Sequence, residues 1–254
     1  MAYGSNVVAT SPDGTTWTPQ TLPSSQNWYS VIYGNGVFVA LSQGSTVAAT
    51  SPDGITWTTR TLPSSQNWWA VAYGNGVFVA VSGGSTAAAT SPDGITWTAR
   101  TLPSSQNWYS VTYGNGVFVA VSCSSTVAAT SPDGITWAPW TLPSPLGWVS
   151  VAYGNGVFVA VASGGSTVAA TSADGTTWAA RTLPSSENWD SVTYGNGVFV
   201  AVSGGSSTAA ATSPDGFTWT ARTLPSSQSW YSATYGNGVF VAVNYNGAVA
   251  ATSP

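Results

Sequence analysis

The chain repeats itself every 40 residues, and that period limits what it can fold into more than any other property of the sequence. The tetrad YGNG begins at Tyr33, Tyr73, Tyr113, Tyr153, Tyr194 and Tyr235. A tryptophan closes a second motif, SPDGxTW or a near copy of it, at Trp17, Trp57, Trp97, Trp137, Trp178 and Trp219. The spacing is 40 residues and rises to 41 late in the chain. A fixed period between 20 and 50 residues marks solenoids, propellers and arrays, in which each repeat is one supersecondary unit. The six copies follow one another without a linker, so residues 1–254 read as one domain.

One copy gives the local structure. Trp68-Trp69-Ala70-Val71-Ala72-Tyr73 is aromatic and β-rich, and Gly74-Asn75-Gly76 makes a tight turn from residues that tolerate positive φ. Val77-Phe78-Val79-Ala80-Val81 is apolar at every position and predicts a strand buried on both faces. Ser82-Gly83-Gly84-Ser85 turns again, and Thr86-Ala87-Ala88-Ala89-Thr90 is a third strand of small residues. In Ser91-Pro92-Asp93-Gly94 the proline presets φ, the aspartate caps its own backbone and the glycine takes the left-handed position. Ile95-Thr96-Trp97-Thr98 opens a fourth strand, and Leu102-Pro103-Ser104-Ser105-Gln106-Asn107 reads as the connection to the next copy. Nothing in the unit has helical period or helix caps.

A lone four-stranded meander cannot cover two apolar faces, so it must stack on neighbours at both sides. The expectation is an all-β, six-bladed β-propeller of four-stranded antiparallel blades, favoured over an open solenoid because the terminal copies are as regular as the internal ones. The last blade would be closed by strands from both termini. Two segments, 5–12 and 247–254, then compete for one third-strand seat. The N-terminal copy is expected to win it, because only that copy continues into an intact Asp13-Gly14 turn.

At SPDGxTW the chain resembles the Asp box, or bacterial neuraminidase repeat, of sialidase-type propellers. The matching residues are Asp13 and Trp17, Asp53 and Trp57, Asp93 and Trp97, Asp133 and Trp137, Asp174 and Trp178, and Asp215 and Trp219. Asp and Gly are adjacent here, where the family pattern separates them by one residue, and Ala173 replaces proline in the fifth copy. The resemblance implies a structural role for these residues, with Asp pinning the turn and Trp packing at the outer edge of the blade. The whole unit is also similar to the YGNGxFVAV tandem repeats of bacterial and phage proteins.

Composition excludes several functions. Charged residues make up 5% of the chain, with four arginines, eight carboxylates, no histidine and a net charge of −4. The isoelectric point is near 4.1. Such a surface has no electrostatic grip on phosphate backbones, so no nucleic-acid partner is expected. The hydrophobic content of 43% and fourteen tryptophans argue against disorder. Cys123 is the only cysteine, which rules out an intrachain disulfide. Met1-Ala2-Tyr3-Gly4-Ser5 lacks the basic and apolar regions of a leader, and no apolar run approaches the roughly 20 residues that span a bilayer. A soluble protein is expected, placed outside the cell or on a phage or bacterial surface.

Enzyme chemistry finds few residues to work with. Six of the eight carboxylates are the repeated turn aspartates, and only Glu187 and Asp190 stand outside them. Arg60, Arg100, Arg181 and Arg222 occupy one position in four copies and would point apart around a ring. No catalytic residue, metal site or cofactor is therefore expected, and sialidase-like glycoside hydrolysis ranks third among the readings. The leading reading is lectin-like glycan recognition, multivalent, with glycans or a cell-surface receptor as partner. The second is a designed or recently amplified repeat protein whose role is purely structural. The candidate ligand residues are the row Trp28, Trp68, Trp108, Trp148, Trp189 and Trp230, the neighbouring Asn27, Asn67, Asn107 and Asn188, and the four arginines. Flat aromatics beside amides suit sugar rings. The same tryptophans are also read as inter-blade core, a reading that Trp108→Ala separates from the first. The molecule is expected to be a monomer or a strand-swapped dimer.

Overall fold

The computed structural model describes residues 4–245 and 247–254. The leader reading at Met1–Ser5 therefore falls mostly outside the described residues. Among the described residues all regular structure is β. Strands β1 (Ser5–Thr10), β2 (Thr18–Gly34), β3 (Val37–Ser51), β4 (Thr58–Gly74), β5 (Val77–Ser91), β6 (Thr98–Gly114), β7 (Val117–Ser131), β8 (Ala138–Gly154), β9 (Val157–Ser163), β10 (Ser166–Ser172) and β11 (Ala179–Glu187) follow one another in one hydrogen-bonded order. Strands β12 (Trp189–Gly195), β13 (Val198–Ser203), β14 (Ser207–Ser213) and β15 (Thr220–Gln228) make a separate four-stranded sheet. Strands β16 (Trp230–Gly236), β17 (Val239–Asn244) and β18 (Ala250–Ser253) make a three-stranded one.

This order overturns the expectation of six separate four-stranded blades with the last completed by both termini. The stretch read as a connection is itself strand. Across Thr61–Trp68 burial alternates, with Leu62 and Trp68 inside and Pro63 outside, where a missing N–H costs nothing. Pairing jumps from Val47↔Thr61 to Ser45↔Gln66, so Leu62–Ser65 forms a bulge while the strand runs on. One 17-residue strand, β4, then pairs β3 through its first half and β5 through its second.

The termini are the second correction. β1 pairs β2, through Val7↔Thr21 to Thr10↔Thr18, and β18 pairs β17, through Val243↔Ala250 to Phe240↔Ser253. The two copies of the third strand thus lie in different sheets and do not compete. β18 sits where it does because its hairpin is short and stapled. Asn244 N donates to Val249 O, Asn244 Oδ1 accepts from Val249 N, and Asn244 Nδ2 reaches Gln228 Oε1. Closing so short a loop costs little entropy.

The tight turns form as read. Asn35 and Gly36, and their equivalents in the other copies, have positive φ, the requirement of a two-residue hairpin. The chain divides into two compact units. One comprises 4–11, Trp17–Ala120 and Ala129–Pro139, and the other Pro12–Thr16, Val121–Ala128 and Trp140–Pro254. In the first, Trp68 packs with Leu62, Val71, Phe78, Ala80 and Ala89. In the second, Trp189 packs with Leu183, Val192, Phe199, Ala201 and Ala211. Within each unit the copies abut closely. The ring of Tyr73 lies against Gly34 and that of Tyr113 against Gly74, while Tyr194 and Tyr235 cover Gly154 and Gly195, leaving no room for a Cβ.

Candidate binding site

The tryptophan row expected to stack on sugars is core. Trp68, Trp108, Trp148, Trp189 and Trp230 have no exposed surface, and Trp28 is 4% exposed. Each indole Nε1 donates to the carbonyl four residues earlier, for example Trp108 to Ser104 O at 3.1 Å. A ring with its faces covered and its one polar atom satisfied cannot meet a ligand. The alternation that makes Leu62–Trp68 a strand is what turns the ring inward.

The accompanying residues divide. Asn67 and Asn107 are exposed, while Asn27 and Asn188 are half-buried. Asn27 Oδ1 accepts from Gly4 N, and Asn188 Oδ1 accepts from Gly164 N and Gly165 N at 2.9 Å. The arginines serve the hairpins. Nε of Arg60, Arg100, Arg181 and Arg222 each donates to the threonine across the strand pair, at Thr50, Thr90, Thr171 and Thr212. Gln20 does the same toward Thr10 through Nε2.

The turn aspartates hold their own backbone. Asp53 Oδ1 accepts from Ile55 N and Thr56 N at 2.8 Å, Ser51 Oγ accepts from Gly54 N, and Trp57 Nε1 donates to Gly54 O. The pattern recurs at Asp13, Asp93, Asp133, Asp174 and Asp215. Backbone N–H groups favour the charged carboxylate, so Asp53, Asp93, Asp133 and Asp215 sit below the ordinary value, and Asp174 falls to about 2. Asp190 moves the other way. Burial raises it and a hydrogen bond with Ser163 opposes the rise, and its carboxylate lies against Gly204. Among the described residues no three of His, Cys, Asp and Glu are grouped to hold a metal, and no helix is long and apolar enough to cross a membrane.

The structure gathers residues that the motifs did not mark. Tyr29 and Tyr109, 80 positions apart, join their hydroxyls at 2.8 Å. The Trp69 ring lies between them in sequence and beside both in space, with its centroid 6.3 Å from Tyr29 and 4.6 Å from Tyr109. The two tyrosine rings meet edge to face at 6.2 Å. The Trp69 indole covers Gly83 so closely that no side chain fits there, and its Nε1 is buried without a partner. A signal for this site was present. The position after the buried tryptophan reads Tyr29, Trp69, Tyr109, Val149, Asp190 and Tyr231, so it varies where its neighbours hardly do. The facing corner varies with it, as Gln43, Gly83, Cys123, Ser163 and Gly204. The two columns meet at Trp69 and Gly83, and again where Asp190 touches Gly204 and Ser163.

Solved structures share the fold at low identity. A streptogramin B lyase superposes with a TM-score of 0.84 at 12% identity, covering 94% of this chain and 84% of that one. Virginiamycin B lyase from Staphylococcus aureus gives 0.84 at 12%, covering 94% and 85%. YCF48 bound to D1 peptide gives 0.62 at 17%, covering 91% and 83%. At such identities the likeness is one of fold and carries no activity across. No curated protein matches the sequence. Residues 61–188 match the family described as the DUF6242 β-propeller domain. That match takes in half of the chain, and the protein belongs to this β-propeller family.

Proposed function

We propose that the protein is a non-catalytic recognition propeller whose ligand is a carbohydrate, bound at the Tyr29–Trp69–Tyr109 cluster. The observation that carries this reading is the cluster itself. Three part-exposed rings from three copies stand together, at a position that varies between copies while its immediate neighbours hardly do. Stacked CH faces and two-way hydroxyls match rings edged by phenol and indole groups. The exposed amides of Asn67 and Asn107 precede two of the copies that supply rings. With the tryptophan row buried, the reading changes from six equivalent sites to one composite site. The non-catalytic reading is supported by the turn aspartates, which are engaged in holding their own backbone.

A glycan array probed with labelled protein tests the proposal, with Trp69→Val as the control. Valine already stands at this position in Val149. Binding by the parent and loss in Trp69→Val at unchanged Tm is the expected result. A blank array, or hits that survive the substitution, overturns the site and leaves the structural scaffold reading.

A further inference from the structure

Inside the second compact unit a groove of about 430 Å³ opens between two turns of one copy and Phe217 of the next. Its walls include Asn155-Gly156-Val157, Thr171 to Asp174, and Arg181. Three features set it apart from the same place in other copies. Ala173 stands where Pro52, Pro92, Pro132 and Pro214 stand, which removes a ring from the wall. Phe217 replaces the isoleucine of Ile55, Ile95 and Ile135 and is 47% exposed. The Arg181 guanidinium lies over the Phe217 ring, 4.6 Å from its centroid.

The arginine is held but not used up. Nε donates to Thr171 Oγ1 at 2.9 Å and Nη1 to Ala180 O at 3.4 Å. The guanidinium carbon sits over the phenyl ring, and of the five N–H groups of the fork three remain without a partner among the described residues. Asp174 also lines the groove, and its Oδ1 is occupied by Thr176 N, Thr177 N and Ser172 Oγ. Its charge stays on the wall and disfavours a bare anion, so an anionic ligand must gain from apolar contact as well. Asn155 Nδ2 is spent on Pro214 O, which ties the turns on the two sides of the groove together.

We propose that this groove binds a small carboxylate with an aromatic or aliphatic body. The carboxylate pairs with the free edge of Arg181, and the body lies along Phe217 and Val157. The volume is within the range of small-molecule sites and exceeds what such a ligand needs. This site is independent of the carbohydrate cluster, shares no residue with it, and stands or falls separately.

The chain supplies its own controls. Arg181→Gln copies Gln20, which keeps the bond to the strand threonine while removing the charge. Phe217→Ile and Ala173→Pro copy the other repeats. Titration of 3-phenylpropionate, its amide and acetate is followed by NMR of the arginine Nε–H groups, of which there are only four. The expected result is a saturable shift confined to Arg181 with 3-phenylpropionate. Arg181→Gln weakens binding at least about tenfold, as loss of a charge-assisted pair does. Phe217→Ile weakens it about threefold to tenfold, and Ala173→Pro weakens it by narrowing the wall. Equal response of all four arginines, or an amide that binds as well as the acid, overturns the proposal. So does binding that survives Arg181→Gln.

Discussion

Trp108 and Trp69 show how one position decides a tryptophan's role. Trp108 has no exposed surface and its indole is satisfied by Ser104 O, so Trp108→Ala opens a cavity that costs about 3–5 kcal/mol, read by chemical denaturation. Two glycines of one tetrad separate in the same way. At Gly74 an added Cβ meets the Tyr113 ring, so Gly74→Ala costs about 1–3 kcal/mol through overpacking. Gly76 faces open space at φ +78, so Gly76→Ala costs only about 1 kcal/mol, for the left-handed backbone. The Asp174 carboxylate has a directional pH signature. Its folded value of about 2 lies below the ordinary 3.8, so its contribution is present above about pH 4 and is lost as pH falls toward 2. Asp174→Asn therefore narrows the drop in Tm between pH 4 and pH 2 and leaves Tm at pH 7 less affected than Asp174→Ala.

Strands and turns were legible to different degrees. The YGNG hairpins and the aspartate-held turns follow from local chemistry and stand as read, and the apolar stretch is buried from Phe78 to Val81 with Val77 half-buried. The connection around Leu102-Pro103-Ser104-Ser105 was misread because Pro and Ser are turn residues, and the period-two burial that makes it strand shows only once Leu102 and Trp108 are seen to face inward. The same alternation turns the tryptophan row inward, which the sequence alone left open between a ligand row and inter-blade core. The aromatic cluster escaped because no motif marks it; its trace is the variation between copies, which a search for repeated residues passes over. At the C-terminus, β18 lies on β17, so deletion of residues 247–254 uncovers the edge of Phe240–Val243. That deletion lowers Tm by several degrees, and an unchanged melting curve contradicts the pairing.

Across the whole molecule, a scarcity of charge makes each carboxylate count. Eight carboxylates face four arginines, and five turn aspartates are held below the ordinary value against one, Asp190, that is raised. The folded protein therefore keeps negative charge at pH values where the unfolded chain has lost it. Isoelectric focusing under native conditions places the protein below 4.1, and focusing in urea returns it toward that value. Solubility follows the native figure, with its minimum below pH 4.

The 17-residue strands carry a further consequence. Thr58–Gly74 is at once the end of one sheet segment and the beginning of the next, so the 40-residue period has no boundary there, whereas between β11 and β12 and between β15 and β16 the strand breaks and a new sheet begins. A duplication within the eleven-stranded sheet lengthens that sheet rather than adding a separate one. A protease finds no seam there between neighbours, and cutting sites fall only at the hairpin tips. Where a long strand bridges two copies, inheritance proceeds by one unit while the hydrogen-bonded strand is shared by both.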